Sequence, residues 1–168
     1  LFVSIQRNLN VIQLLNTQIG IIEAAILPQC QRLPEYEQLK TVFGIGVILS
    51  QTIALETGDI NRFHSVGNYT SYCRCVDSIK TSNGKKKGVG NKKSGNKYLA
   101  WAYMEAANYA KRFDSQCRAF HDRKSAKTNS IIATKALGCK LAKAAWHMMK
   151  EQTNFDLSRV FPGMQSKE

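Results

Sequence analysis

The chain has 168 residues, is 43% hydrophobic and 21% charged, and carries 24 lysines and arginines against 12 acids, a formal net charge of +12. That is one ordinary domain, or a small domain with an added arm, with a globular rather than a disordered composition. An enzyme of small neutral substrates has no need of such an excess of positive charge; a polyanionic partner explains it.

No apolar run approaches the roughly 18 residues of a membrane span, and no charged segment leads into an apolar signal core. The expectation is therefore a cytoplasmic, nucleoid-associated protein with no membrane partner. The 5 cysteines are odd in number and read as reduced thiols rather than a disulfide framework. His64, His121 and His147 are widely scattered, which argues against a zinc site. With only 3 prolines and many strong helix formers, the predicted fold class is all-α. The chain opens at Leu1 in the middle of a pattern, which predicts a piece of something longer.

Residues 1–34 read as a heptad linker helix. Ile5, Ile12, Ile19 and Ile26 recur every seven residues, and Leu1, Leu15 and Ile22 fill the second seam position, interrupted only by Asn8. One helix cannot bury such a stripe by itself. It either packs on the rest of the chain or forms a coiled coil, with a second copy as the expected homo-oligomeric partner or with a domain missing from this chain. Pro28 and Pro34 bracket its end.

Residues 35–155 read as the main domain. Within it, 35–57 gives a short helix, the turn Gly44-Ile45-Gly46, and an apolar helix from Val47 to Glu56. This is the pattern of a helix-hairpin-helix unit, which grips nucleic-acid backbone at a helix N-terminus; the plainer reading is two helices joined by a glycine turn. Asp59 or Asn61 is expected to cap a turn leading to Phe63, and Ser65 a short helix through Tyr69, Tyr72 and Cys75.

Residues 77–97 hold seven lysines, four glycines and one acid, Asp77. Hydropathy alone predicts a long, mobile loop there. The charge is concentrated accordingly: residues 1–79 carry five basic and six acidic side chains, residues 80–168 nineteen and six. Lys80, Lys85, Lys86, Lys87, Lys92, Lys93 and Lys97 are the candidate phosphate contacts, together with Gly44, Ile45 and Gly46. A hydroxyl at Thr81, Ser82 or Ser94 would sit in a field of lysines able to offset charge on a phosphoryl transition state. The plainer reading is a loop that only neutralises phosphates.

Two long helices are predicted next, from about Tyr98 to Phe120 and from about Ser130 to Gln152. The second is capped by Thr128 or Asn129 and turns Ile131, Leu137, Leu141, Ala145 and Met148 inward. Tyr98, Trp101, Tyr103 and Tyr109 recur at helical spacing and read as core. Residues 156–168 read as a loose tail. Glu56, Asp59 and Asp77 do not make a metal cluster by spacing, and no serine-histidine-acid set suggests itself.

From Leu39 to about Gln152 the order of motifs resembles the C-terminal domain of the IS-one-ten family of insertion-sequence transposases. The matching pieces are Leu39 with Gly44-Ile45-Gly46, Glu56-x-Gly58-Asp59-Ile60, Phe63, Tyr72 to Val76, Ser82-Asn83-Gly84-Lys85 and Gly95-Asn96-Lys97-Tyr98-Leu99. The resemblance implies a DNA recombinase guided by a structured bridge RNA. It implies a catalytic serine at Ser82 that attacks the DNA phosphodiester, with Thr81 and Ser78 as lesser candidates because Asn83 stands where the family often has glycine. It also implies Mg²⁺ held by acids of a separate RuvC-like domain, so that this chain by itself is inactive, with residues 1–27 similar to the helix connecting the two.

Overall fold

The computed structural model describes residues 1–76, 79–89 and 94–162. It forms two compact units, Leu1–Leu33 and Pro34–Glu168.

The first unit is a single helix, α1 (Phe2–Cys30), which runs through Pro28 and stops within a turn of it. Proline removes an amide donor and crowds the preceding carbonyls, so a helix rarely continues far past it. The seam residues Ile5, Ile12, Leu15, Ile19 and Ile22 are exposed, and so are Leu9, Val11, Leu14 and Ile21. By length and composition alone, α1 is the one helix among the described residues apolar enough to cross a membrane. This departs from the sequence expectation. Asn and Gln break the apolar runs at short intervals, yet Arg7 and Glu23 are the only charges along α1.

The second unit is all-α apart from one hairpin. In order come α2 (Pro34–Leu39), α3 (Val47–Thr57), a 3-10 turn (Ile60–Arg62), α4 (Val66–Tyr72), β1 (Ile79–Ser82), β2 (Lys85–Val89), α5 (Lys97–Phe113), α6 (Ser115–Lys127), α7 (Ser130–Glu151) and α8 (Leu157–Val160). The central layer is α5 against α7, with α6 packed on both, α3 on α5 and α4 on α7. Ala102, Ala106, Ala107 and Ala110 of α5 and Ala133, Ala142 and Ala145 of α7 are fully buried. Small side chains bring the helix axes close, and Leu99, Leu137 and Leu141 fill the space between, each fully buried and worth about 1.5–3 kcal/mol. A hydroxyl relay threads this core: Thr57 to Tyr69 at 3.0 Å and Tyr69 to Tyr103 at 2.7 Å. Burial pushes both phenols well above their usual range.

Local capping explains most boundaries. Ser65 accepts from the Asn68 amide and Asn129 from the Ile132 amide. The helix expected to run from Tyr98 to Phe120 is two. Asp114 leaves helical geometry, and its buried carboxylate accepts from the Cys117 amide at 2.6 Å, starting α6. The apolar period continues across that break and hides it. Ile131, expected inward, is 79% exposed. The expected loose tail is ordered in part: α8 closes the described chain, and Phe161 is buried with its ring 5.6 Å from that of Phe120.

Candidate functional site

The lysine-glycine segment is not a structureless loop. Residues 79–89 form an antiparallel hairpin pairing Ile79 with Val89, Lys80 with Gly88, Thr81 with Lys86 and Ser82 with Lys85. Asn83 and Gly84 connect the strands with φ of 50° and 72°. Two successive left-handed residues make the turn whose twist matches paired strands, and Asn-Gly is the sequence that favours it. That dipeptide was the available signal, overridden by the hydropathy of the lysines. The register skips Lys87, an extra residue on β2 opposite the Lys80–Thr81 step, and such a bulge twists and re-aims the strand.

Ser82 is thus the last residue of β1, exposed, directly before the turn and across the ladder from Lys85. Thr81, Lys85 and Lys87 are exposed beside it, and Lys80 and Lys86 are strand positions. Ser78, Lys92 and Lys93 lie outside the described residues. Lys97 opens α5, its ammonium 4.9 Å from the Tyr98 ring.

A latch holds the base of this segment. The Asn96 amide donates to the Tyr72 carbonyl at 2.7 Å, and Arg74 Nη2 donates to the Gly95 carbonyl at 2.9 Å. A Cβ at Gly95 would lie 2.4 Å from the Tyr72 carbonyl oxygen, and φ there is +89°; only glycine fits. Asn96 caps α5 by accepting from the Tyr98 and Leu99 amides, and its Nδ2 donates to Glu56 Oε2 at 2.6 Å. Arg62 lies over the Phe63 and Tyr72 rings at 4.5 and 4.8 Å. Its hydrogen bond, then that of Asn96, lowers the Tyr72 phenol from its usual range. Glu56-x-Gly58-Asp59-Ile60 and Gly95-Asn96-Lys97 are therefore two sides of one joint, which sequence spacing alone did not connect. Asp59 serves locally, accepting from the Asn61 amide at 2.8 Å.

The Gly44-Ile45-Gly46 turn divides its work. A Cβ at Gly44 would lie 2.2 Å from the Ala106 carbonyl oxygen of α5, so the close approach that glycine permits is made to α5. Ile45 is buried, and Gly46 stands exposed as the cap of α3. On the outer face of α5, Tyr103 is buried as expected, but Tyr98, Trp101 and Tyr109 are about half exposed; reading them as core missed this.

The described residues bring no three His, Cys, Asp or Glu side chains together as metal ligands. Among the described residues no such set fits the Mg²⁺ that the resemblance implies. His121 is buried against Thr134 and Asp122, and His147 pairs with Glu151.

The family model for the Transposase IS116/IS110/IS902 family matches residues 36–122. That is more than half of the chain, and the chain belongs to this family. No curated protein matches it. The match spans the turn, the latch, the hairpin and α5, and assigns the domain a transposase-related enzymatic function with DNA as the molecule acted upon.

Proposed function

We propose that this chain contributes the serine nucleophile for DNA strand cleavage and exchange, with Ser82 Oγ as the attacking atom. One Oγ–P bond forms as one P–O bond to the sugar breaks, the serine proton leaves, and the departing sugar oxygen takes up a proton. One phosphodiester replaces another, so the reverse step reseals a strand without an external energy source. Lys85 and its neighbours offset charge on the non-bridging oxygens as the phosphorus becomes five-coordinate. The observation that carries this reading is the exposed position of Ser82 at the end of β1, opposite Lys85 and beside two left-handed turn residues. A strand end held by a tight turn fixes a side chain better than a loop does.

The wider reading has three parts. DNA or bridge-RNA backbone lies along the lysines of residues 80–97. The exposed apolar stripe of α1 pairs with a second copy in a cytoplasmic assembly. The Mg²⁺ implied by the resemblance is held by residues outside this chain, and no step is derived through it. The competing reading, a nucleic-acid-binding module without chemistry, draws on the same lysines.

A covalent protein–DNA adduct that survives denaturation distinguishes them. It is expected when the chain is joined to a RuvC-like domain and is lost in Ser82→Ala, while nucleic-acid binding stays nearly intact. An adduct that persists in Ser82→Ala refutes the assignment.

A further inference from the structure

We propose that the groove between the Phe43–Gly46 turn and the C-terminal end of α5 is a stacking site for an unpaired base of a nucleic-acid strand. The inference rests on the nucleic-acid reading above and adds a location and a strand form to it.

The groove has a volume of about 590 Å³. Five large apolar side chains meet there, all substantially exposed: Phe43 at 41%, Val47 at 51%, Ile48 at 46%, Tyr109 at 47% and Phe113 at 79%. A contiguous apolar patch of this kind marks a contact surface, whereas scattered single residues do not. Its two walls are locked together, because Gly44 lies in backbone contact with Ala106 and Ala110 of α5. Tyr109 and Phe113 are one turn apart, their rings within 9° of parallel and their centroids 6.5 Å apart. Phe43 is braced edge-on by Phe155 at 5.9 Å.

Charge selects the occupant. No acid lines the groove, and Lys40 does. Arg112 occupies the last turn of α5, and the Arg118 guanidinium is held at that end by the Lys111 and Arg112 carbonyls, while the Lys111 ammonium turns away to Thr134 of α7. The nearby acids are engaged or set back. Glu37 pairs with Lys40 at 2.7 Å, Asp114 is buried as a helix cap, and Glu105 lies one turn before Tyr109. Aromatic faces with a cationic rim fit a polyanion that carries flat apolar rings. A duplex hides its base faces by stacking, whereas an unpaired strand offers them.

The test measures binding of the full chain to a short single-stranded oligonucleotide containing 2-aminopurine, and to the matching duplex. Wild type is expected to quench the 2-aminopurine. Y109L/F113L, two exposed positions on a helix surface, is expected to lose about tenfold in single-strand affinity and to relieve the quench, with unchanged duplex binding and melting temperature. Phe113→Tyr, which keeps a ring, is expected to bind as wild type. K85Q/K87Q is expected to weaken both strand forms. If it does so while Y109L/F113L changes neither affinity nor quench, the groove proposal is overturned and the nucleic-acid reading stands. Wild type that binds neither form overturns both. Loss of self-association in Y109L/F113L with strand binding intact identifies the groove as a contact between copies and also overturns the proposal.

Discussion

Two of the domain's glycine turns, Phe43–Gly46 and Asn83-Gly84, serve opposite ends. At Phe43–Gly46 the glycine faces inward: the missing side chain of Gly44 is the space in which the Ala106 carbonyl sits. At Asn83-Gly84 the glycine faces open space, with nothing within 4 Å of where its Cβ would be, and what the turn needs is only a φ of 72°. The first turn is part of the core, because the helices behind it cannot close on a residue with a side chain at position 44. The second contributes nothing to the core and sets the direction of one exposed strand end. A motif of small residues in a basic protein invites a phosphate-binding reading in both places; at the first turn Gly44 is taken up by packing and Gly46 is the glycine that faces open space.

The sharpest way to break this comparison is Gly44→Ala. The added methyl would overlap a carbonyl oxygen at 2.2 Å with φ at +84°. Neither can relax without moving α5, so a loss of about 3 kcal/mol is expected in denaturant unfolding. Gly95→Ala, at 2.4 Å from the Tyr72 carbonyl oxygen, is expected to cost nearly as much. A Gly44→Ala protein with wild-type stability would show that the turn is not locked to α5.

Next in size is the latch. Glu56→Ala removes the acceptor of the part-buried Asn96 amide group and is expected to cost about 1–2 kcal/mol. Glu56→Gln keeps an acceptor oxygen and should recover most of it. Equal losses in the two variants would mean that charge, not the hydrogen bond, is what holds the joint.

The core also predicts how stability depends on pH. Burial pushes the Cys75 thiol up to about 12 from an ordinary 9.0, and raises Cys73 and Cys117 in the same direction. An acid held protonated by folding contributes stability that is complete below its unfolded value. That stability is lost as pH rises from about 9 towards the folded value, because the unfolded chain releases the proton first. Unfolding free energy is therefore expected to fall steadily above pH 9, and less steeply in Cys75→Ala. A flat profile to pH 11 would contradict the burial of these thiols.

Much of this architecture was legible in the sequence, for identifiable reasons. The caps Ser65 and Asn129 announce themselves because a short polar side chain before an apolar run has one common use. The α5–α6 break was not legible, because Asp114 interrupts a period that resumes in register. The hairpin was misread because lysines dominate hydropathy, while strand pairing is encoded in a two-residue turn. The joint between Glu56 and Asn96 spans forty positions, and no local pattern carries that distance. The exposed rings of α5 look like core by spacing, since periodicity identifies a face without saying whether anything covers it.

The smallest effect on stability is expected at Gly84, and it separates the two turns most cleanly. Gly84→Ala forces an L side chain into left-handed geometry, at a cost of about 1–2 kcal/mol confined to the turn. The hairpin is two-stranded and its turn is exposed, so most of that cost is expected to appear as local opening, with global unfolding shifted by less than about 1 kcal/mol. Gly84→Asn tolerates the same φ and should behave close to wild type. Strand exchange should respond differently if Ser82 is the nucleophile: a frayed turn releases the serine from its place opposite Lys85, so Gly84→Ala is expected to lose at least tenfold in adduct formation while Gly84→Asn retains it. Hydrogen exchange at the amides of residues 81–86, measured beside adduct yield, makes the comparison. Faster exchange with unchanged adduct yield would mean that the position of Ser82 does not limit the chemistry.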